Sequence, residues 1–99
     1  MIVSITAEAE ADLERIATYV GEQSPSSALR LVRDLRQRCE SLLDKPRDYP
    51  LVPRYEQFGI RRRPFGRYLI FCRVGGDATE IIHILHGARD YEAILFPED

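Results

Sequence analysis

The hydrophobic period of this chain changes once, and that change dictates which elements it can form. Up to about residue 43 apolar residues recur every three to four positions. From Ile60 onward they alternate or run in short stretches. Ala9, Leu13, Ile16, Ala17 and Val20 make one helical stripe; Ala28, Val32, Leu35, Cys39, Leu42 and Leu43 make a second. Thr6 is placed to cap the first helix, with Glu8 and Glu10 near its positive end. Ser24 followed by Pro25 marks the start of the second, because proline at the first helical position loses no hydrogen bond. Pro46 predicts its end within a residue or two of Asp44. Two such helices on a tight turn form a hairpin, and neither buries its stripe alone.

The opening "MIVSI" reads as a strand. "IRRRPF" (60–65) and "RYLIFCRV" (67–74) read as two more, with Pro64 marking an edge or a bulge. Gly75, Gly76 and Asp77 make a turn before "ATEIIHILHG". Short connections predict an antiparallel meander that the first strand joins. The expectation is one domain over residues 1–99 of α+β class. An N-terminal strand and an α-helical hairpin pack on one face of a small antiparallel sheet, giving two layers. The segment 46–59, "PRDYPLVPRYEQFG", is too apolar for a linker and is a candidate groove rim. Strict alternation puts His83 on a face with Ile81 and Leu85, and His86 on the other with Ile82 and Ile84. The tail "YEAILF" reads equally as helix or strand, closing the core or lying under a partner.

A chain of 99 residues buries a modest core, so a partner can supply much of its stability. Charge is segregated. Residues 45–73 hold eight basic residues against two acids, net +6, between stretches of net -3 and -5. Such a segment attracts acidic partners although the whole chain is -2. No apolar run spans a bilayer and the N-terminus lacks a signal-peptide pattern, so the expected location is the cytoplasm. Cys39 and Cys72 match no metal or redox spacing and read as buried free thiols. Neither histidine has a partner spaced for zinc; no metal and no cofactor are expected. In the run Arg61–Arg63, the outer two point one way and Arg62 the other. A core cannot take them unpaired, so this strand is an edge or pairs with acids of the first helix. Gly87 and Ala88 let the chain turn or a partner approach, and Arg89 with Asp90 can fix the exit from the sheet.

With the hairpin, "FGRYLIFCRV" and "ILHGARD" in this order, the chain resembles the ParE/RelE superfamily of toxins, on its ParE-like branch, from roughly Ile2 to Tyr91. The resemblance implies a bacterial type II toxin, of the kind associated with plasmid stabilisation, that inhibits DNA gyrase without being an enzyme. It implies neutralisation by a ParD-like antitoxin with a ribbon–helix–helix DNA-binding domain. The two would form a hetero-oligomer that represses its own operon, touching operator DNA only through the antitoxin. The alternatives are a ribosome-dependent mRNA endonuclease of the RelE type and a non-toxic member that only binds its antitoxin. For the nuclease, the resemblance places phosphate-binding arginines near Arg62 and Arg89, and Tyr91 is the nearby phenol. Against it stand the acidic end, Glu98 and Asp99, and a single lysine, Lys45. For binding the antitoxin or target, the candidates are Arg61, Arg63, Arg67, Arg73, His86 and Arg89, with Tyr55, Phe58, Leu95 and Phe96 as apolar anchors. Tyr19 and Leu29, outside both helical stripes, are further apolar candidates.

Overall fold

The computed structural model describes residues 2–43 and 45–97, with Leu43 described by its backbone alone. The chain runs β1 (Ile2–Ile5), α1 (Ala7–Gly21), α2 (Pro25–Glu40), β2 (Ile60–Phe65), β3 (Tyr68–Val74), β4 (Ala78–His86) and α3 (Tyr91–Leu95). Both helix starts follow from their caps. The Thr6 hydroxyl accepts from the Ala9 N–H at 3.2 Å, and the Ser24 hydroxyl from the Ser27 N–H at 3.3 Å with Pro25 opening the helix. Arg36 of α2 grips Glu10 of α1 with two bonds, of 2.7 and 3.1 Å. That hydrogen bonding holds the Glu10 carboxyl below the usual carboxylate range. The pair is half exposed, so it orients the hairpin more than it stabilises it. α2 stops at Glu40, earlier than Pro46 suggests. The Ser41 hydroxyl takes the free Arg38 carbonyl at 2.8 Å and residues 41–43 tighten into a 3-10 turn. Asp44 lies outside the described residues.

The sheet order is β1-β4-β3-β2. β2, β3 and β4 form the antiparallel meander; β1 joins parallel to β4, so the sheet is mixed. One residue breaks the alternation expected of β4. Phe71 pairs with His83 but Cys72 pairs with Ile81, leaving Ile82 as the extra residue of a β-bulge. Ile81 and Ile84 therefore both pack toward the helices, with Ile70 and Cys72, while Ile82 and Leu85 pack on the other face with Phe71. The expected division of the histidines between Ile81/Leu85 and Ile82/Ile84 is wrong for this reason. Thr6 sits at the bulge and donates its hydroxyl to the carbonyls of Ile81 at 2.9 Å and Ile82 at 3.2 Å.

The sheet is covered on both faces, not one. The main core joins Ala9 and Leu13 of α1 and Leu35 and Cys39 of α2 to Ile70, Cys72, Ile81 and Ile84. The second, smaller core joins Val52, Ile60, Phe71 and Leu85 beneath Tyr55, Tyr91, Ile94, Leu95 and Phe96. The tail is thus a short helix that closes the domain's own core.

Between α1 and β4 lies a buried carboxylate. Asp12 is 3% exposed. Its Oδ2 accepts from the backbone N–H of Ile84 at 2.9 Å and lies 2.8 Å from His83 Nδ1; its Oδ1 accepts from Arg15 at 2.9 Å. A carboxylate only accepts, so His83 carries its proton on Nδ1. Parallel pairing with β1 ends at Ile81, and the next inward N–H of β4, on Ile84, is met by Asp12 in place of a strand.

Asp12→Ala removes three partners at once and leaves a buried N–H without an acceptor. It is expected to cost about 3 kcal/mol, read as a lower urea midpoint with unchanged slope. Both thiols are fully buried, and burial pushes Cys39 up to about 12 and Cys72 to about 11. Thiol-specific reagents at pH 8 are therefore expected to label the native chain only as fast as it opens, and both cysteines at once in denaturant.

Candidate interaction surfaces

The second face of the sheet brings together two residues that the sequence singles out separately. Arg62 lies opposite Phe71, and its guanidinium donates to the Tyr91 hydroxyl at 2.8 Å. The Tyr91 ring packs on Phe71 with centroids 5.2 Å apart. Asp90 caps α3 by accepting from the Ala93 N–H at 3.4 Å, which fixes Tyr91 at the helix start. Arg89, the third member of the nuclease set, is exposed, and its backbone N–H bonds to the His86 carbonyl. Asp90 thus fixes the chain beyond the sheet through the α3 backbone. Glu98 and Asp99 lie outside the described residues.

Beside this pair the loop 51–58 and the tail build an aromatic cluster. Tyr55 and Phe96 stack at 4.1 Å with planes 1° apart, and Phe58 leans on Phe96 at 5.1 Å. These rings, with Ile60, Leu95 and Arg73, line an open hollow of about 450 Å³. Phe58 is exposed, and Arg73 reaches its carbonyl at 3.4 Å. The loop is held by a turn with an unusual residue. The Tyr55 N–H bonds the Val52 carbonyl, Pro53 occupies the first central position, and Arg54 takes φ 72° at the second, where glycine is the ordinary choice. Arg54 then reaches Glu92 of α3 at 3.0 and 3.2 Å. Pro53 was the available signal for that turn; nothing local pointed to Glu92.

Arg61 and Arg63 turn inward along the loop. Arg61 donates to the carbonyls of Arg47 and Tyr49 at 3.1 and 2.8 Å, and Arg63 donates to the Tyr49 hydroxyl at 2.9 Å. β2 is the sheet edge, as expected, but no acid of α1 pairs with it among the described residues. Its outer side is instead partly covered where Arg62 N–H meets the Pro50 carbonyl and the Val52 N–H meets the Ile60 carbonyl. Arg67 is exposed in the β2–β3 turn. His86 stands edge-on to Tyr68 at 5.5 Å and accepts from the Ala88 N–H at 3.0 Å. Gly87 donates to the Arg67 carbonyl at 2.8 Å, and a side chain there would stand 3.4 Å from that oxygen.

A third surface lies on the hairpin. Tyr19 and Leu29 are 68% and 76% exposed, and Leu29 borders an apolar groove with Ala17, Gly21, Pro25, Ala28 and Val32. Asp12 and Arg54 have structural roles that nothing in the sequence singles out. An acid in the second turn of a helix resembles any solvated charge.

Among the described residues no helix is long and apolar enough to cross a membrane, and no His/Cys/Asp/Glu group is arranged for a metal. The family model described as the ParE toxin of the type II toxin–antitoxin system parDE matches residues 3–91. Among solved structures, a chain of a chromosomal ParDE system from P. aeruginosa is similar, with 26% identity and a TM-score of 0.74. The match covers 87% of this chain and 95% of that one. No curated protein sequence matches.

Phe96→Ala opens the stacked cluster and is expected to cost about 1–2 kcal/mol in urea unfolding, with little effect on the hairpin core's cooperativity.

Proposed function

The chain belongs to the ParE toxin family and is the toxin component of a parDE-type toxin–antitoxin system, and we propose that it acts by binding and poisoning DNA gyrase. The observation that carries the choice of branch is the ParE match over nearly the whole chain. The site geometry agrees with gripping more than with chemistry. Tyr91 is half-buried on Phe71 and its oxygen accepts from Arg62, but among the described residues no acid or histidine bonds either of them to serve as the base that a ribose hydroxyl requires.

The cognate antitoxin is a ParD-like ribbon–helix–helix protein whose C-terminal part covers the toxin in the cytoplasm. The hollow of Tyr55, Phe58, Leu95 and Phe96, rimmed by Arg73, suits an apolar anchor with an acidic neighbour, and the groove beside Leu29 suits a second. Arg61 and Arg63 brace the loop that carries the first of these. The pair represses its operon with the antitoxin alone on the operator.

The contact of Arg62 with Tyr91 favours one competing reading, a ribosome-dependent nuclease in which these two residues and Arg89 act on the scissile phosphate. One experiment separates the two. The purified chain is added to gyrase with relaxed plasmid and, in parallel, to a translating extract. Gyrase-dependent loss of supercoiling with trapped DNA breaks, abolished by the antitoxin, is the expected result. Codon-positioned mRNA cuts that vanish in Arg62→Ala and Tyr91→Phe would replace it with the nuclease. Neither effect would leave a chain that only binds its antitoxin.

A further inference from the structure

The end of the sheet at the β2–β3 turn carries a set of positive charges, of which only Arg63 has another task, bracing the loop through the Tyr49 hydroxyl. Three residues in adjacent strands line up there on the helix side: Phe65 opposite Tyr68, and Tyr68 opposite His86. Arg38, in the last turn of α2, lies with its guanidinium carbon 5.0 Å from the Phe65 ring centre. Arg63, two residues earlier on the same face, lies 5.2 Å from the Tyr49 ring centre. Arg67 and Arg89 stand at the rim, exposed, brought together by the bond from Gly87 to the Arg67 carbonyl. His86 accepts a backbone N–H on Nδ1, which leaves the proton on Nε2 as a free donor.

Among the described residues no acid pairs with these groups. The ion pairs among the described residues are Asp12 with Arg15 and His83, Glu10 with Arg36, and Glu92 with Arg54. Asp34, one turn before Arg38, does not reach it, and Asp90 is spent on capping α3. Arg38 and Arg63 are held over rings, so they lose little freedom on meeting an anion. The exposed apolar anchors lie elsewhere. Leu29 is nine residues back along α2, about 14 Å at helical rise. Arg73 and the Phe58 hollow are at the far end of β3, about 17 Å away.

We infer that this end of the sheet is a binding surface for the phosphate backbone of a nucleic acid, held by Arg38, Arg63, Arg67 and Arg89 with His86 as a neutral donor. A protein segment would seek large exposed apolar side chains, and those of the described residues, Ile2, Tyr19, Leu29 and Phe58, lie elsewhere. A phosphate chain needs fixed cations and donors, which it does. The half-exposed row of Phe65, Tyr68 and His86 also offers ring edges to unstacked bases. The inference does not depend on gyrase being the target. It assigns the toxin a direct contact with whichever nucleic acid its target holds.

The test measures anisotropy of labelled 20-nucleotide single-stranded DNA, RNA of the same sequence and duplex DNA, each titrated with the purified full chain at several salt concentrations. Four phosphate contacts predict a log–log salt slope of about -3 to -4. Arg38→Glu/Arg67→Glu is expected to weaken binding at least tenfold and reduce the slope by about 2. Arg30→Glu/Arg33→Glu, exposed on the other end of α2 and equal in charge change, should lose far less. A preference among the three probes identifies which nucleic acid the surface takes. The idea is overturned if salt has no effect, or if both double variants lose equally. It is overturned too if polyglutamate competes as well as nucleic acid does, which would make the surface a site for acidic protein. Matching far-ultraviolet spectra and thermal midpoints for the variants exclude misfolding as the cause of loss.

Discussion

The fold hinges on one buried carboxylate. A parallel strand pair on the margin of a sheet ends when one partner turns away, and the other is left with inward backbone groups and no ladder. β1 turns into α1 after Ile5, and Asp12, one and a half turns along that helix, supplies the acceptor that a longer β1 would have supplied to Ile84. The same carboxylate sets the tautomer of His83 and anchors Arg15. Thr6 completes the junction by bonding the carbonyls on either side of the bulge. Helix, bulge and strand end are thereby locked in one register. Such locking matters in a domain this small, where a one-residue slip would turn β4 inside out.

The bulge allows one strand to serve two cores. Ile81 and Ile84 contribute to the helix-side core, and Ile82 and Leu85 to the tail-side core. Each is small, and each is closed by a different part of the chain. The hairpin seals one by extensive helix burial. The other is sealed by a five-residue helix, a loop with an arginine in a left-handed turn, and two polar ties, Arg54 to Glu92 and Arg62 to Tyr91. Arg54 adopts a left-handed conformation that ordinarily falls to glycine, and from it the guanidinium bonds Glu92.

Much of this was legible because its causes are local. Thr6 and Ser24 with Pro25 announce the helix starts, the two stripes announce the hairpin, and the Gly75–Asp77 turn sets the meander. What was not legible depends on partners far along the chain. Asp12 meets His83 across 71 residues, and nothing around Asp12 distinguishes it from Glu8 or Glu14. The bulge hides in the run Ile81–Ile82, where both residues are apolar and either face would accept them. From sequence the arginine run fits a sheet edge or a set of partners for acids of the first helix, and the strand is the edge. Of its outer members, Arg61 satisfies two carbonyls of the proline-rich loop and Arg63 bonds the Tyr49 hydroxyl of the same loop. Arg62 and Tyr91 were grouped by family resemblance; composition or spacing alone would not have paired them. The tail, with too few residues to show a period, resolves only through contact with Phe71, Tyr55 and the loop.

The place of β1 in the sheet bears on the order of folding. It pairs with β4, and Thr6 reaches the carbonyl of Ile82 across 76 residues. Contacts of that range close slowly, because the loop entropy is lost before the pairing compensates for it. β1 must therefore wait for β4, while the helical hairpin, local in sequence, forms early. A nascent chain presents the hairpin's uncovered apolar stripe until the meander has been made. A partner that engages the hairpin during that interval meets the chain before its sheet is complete.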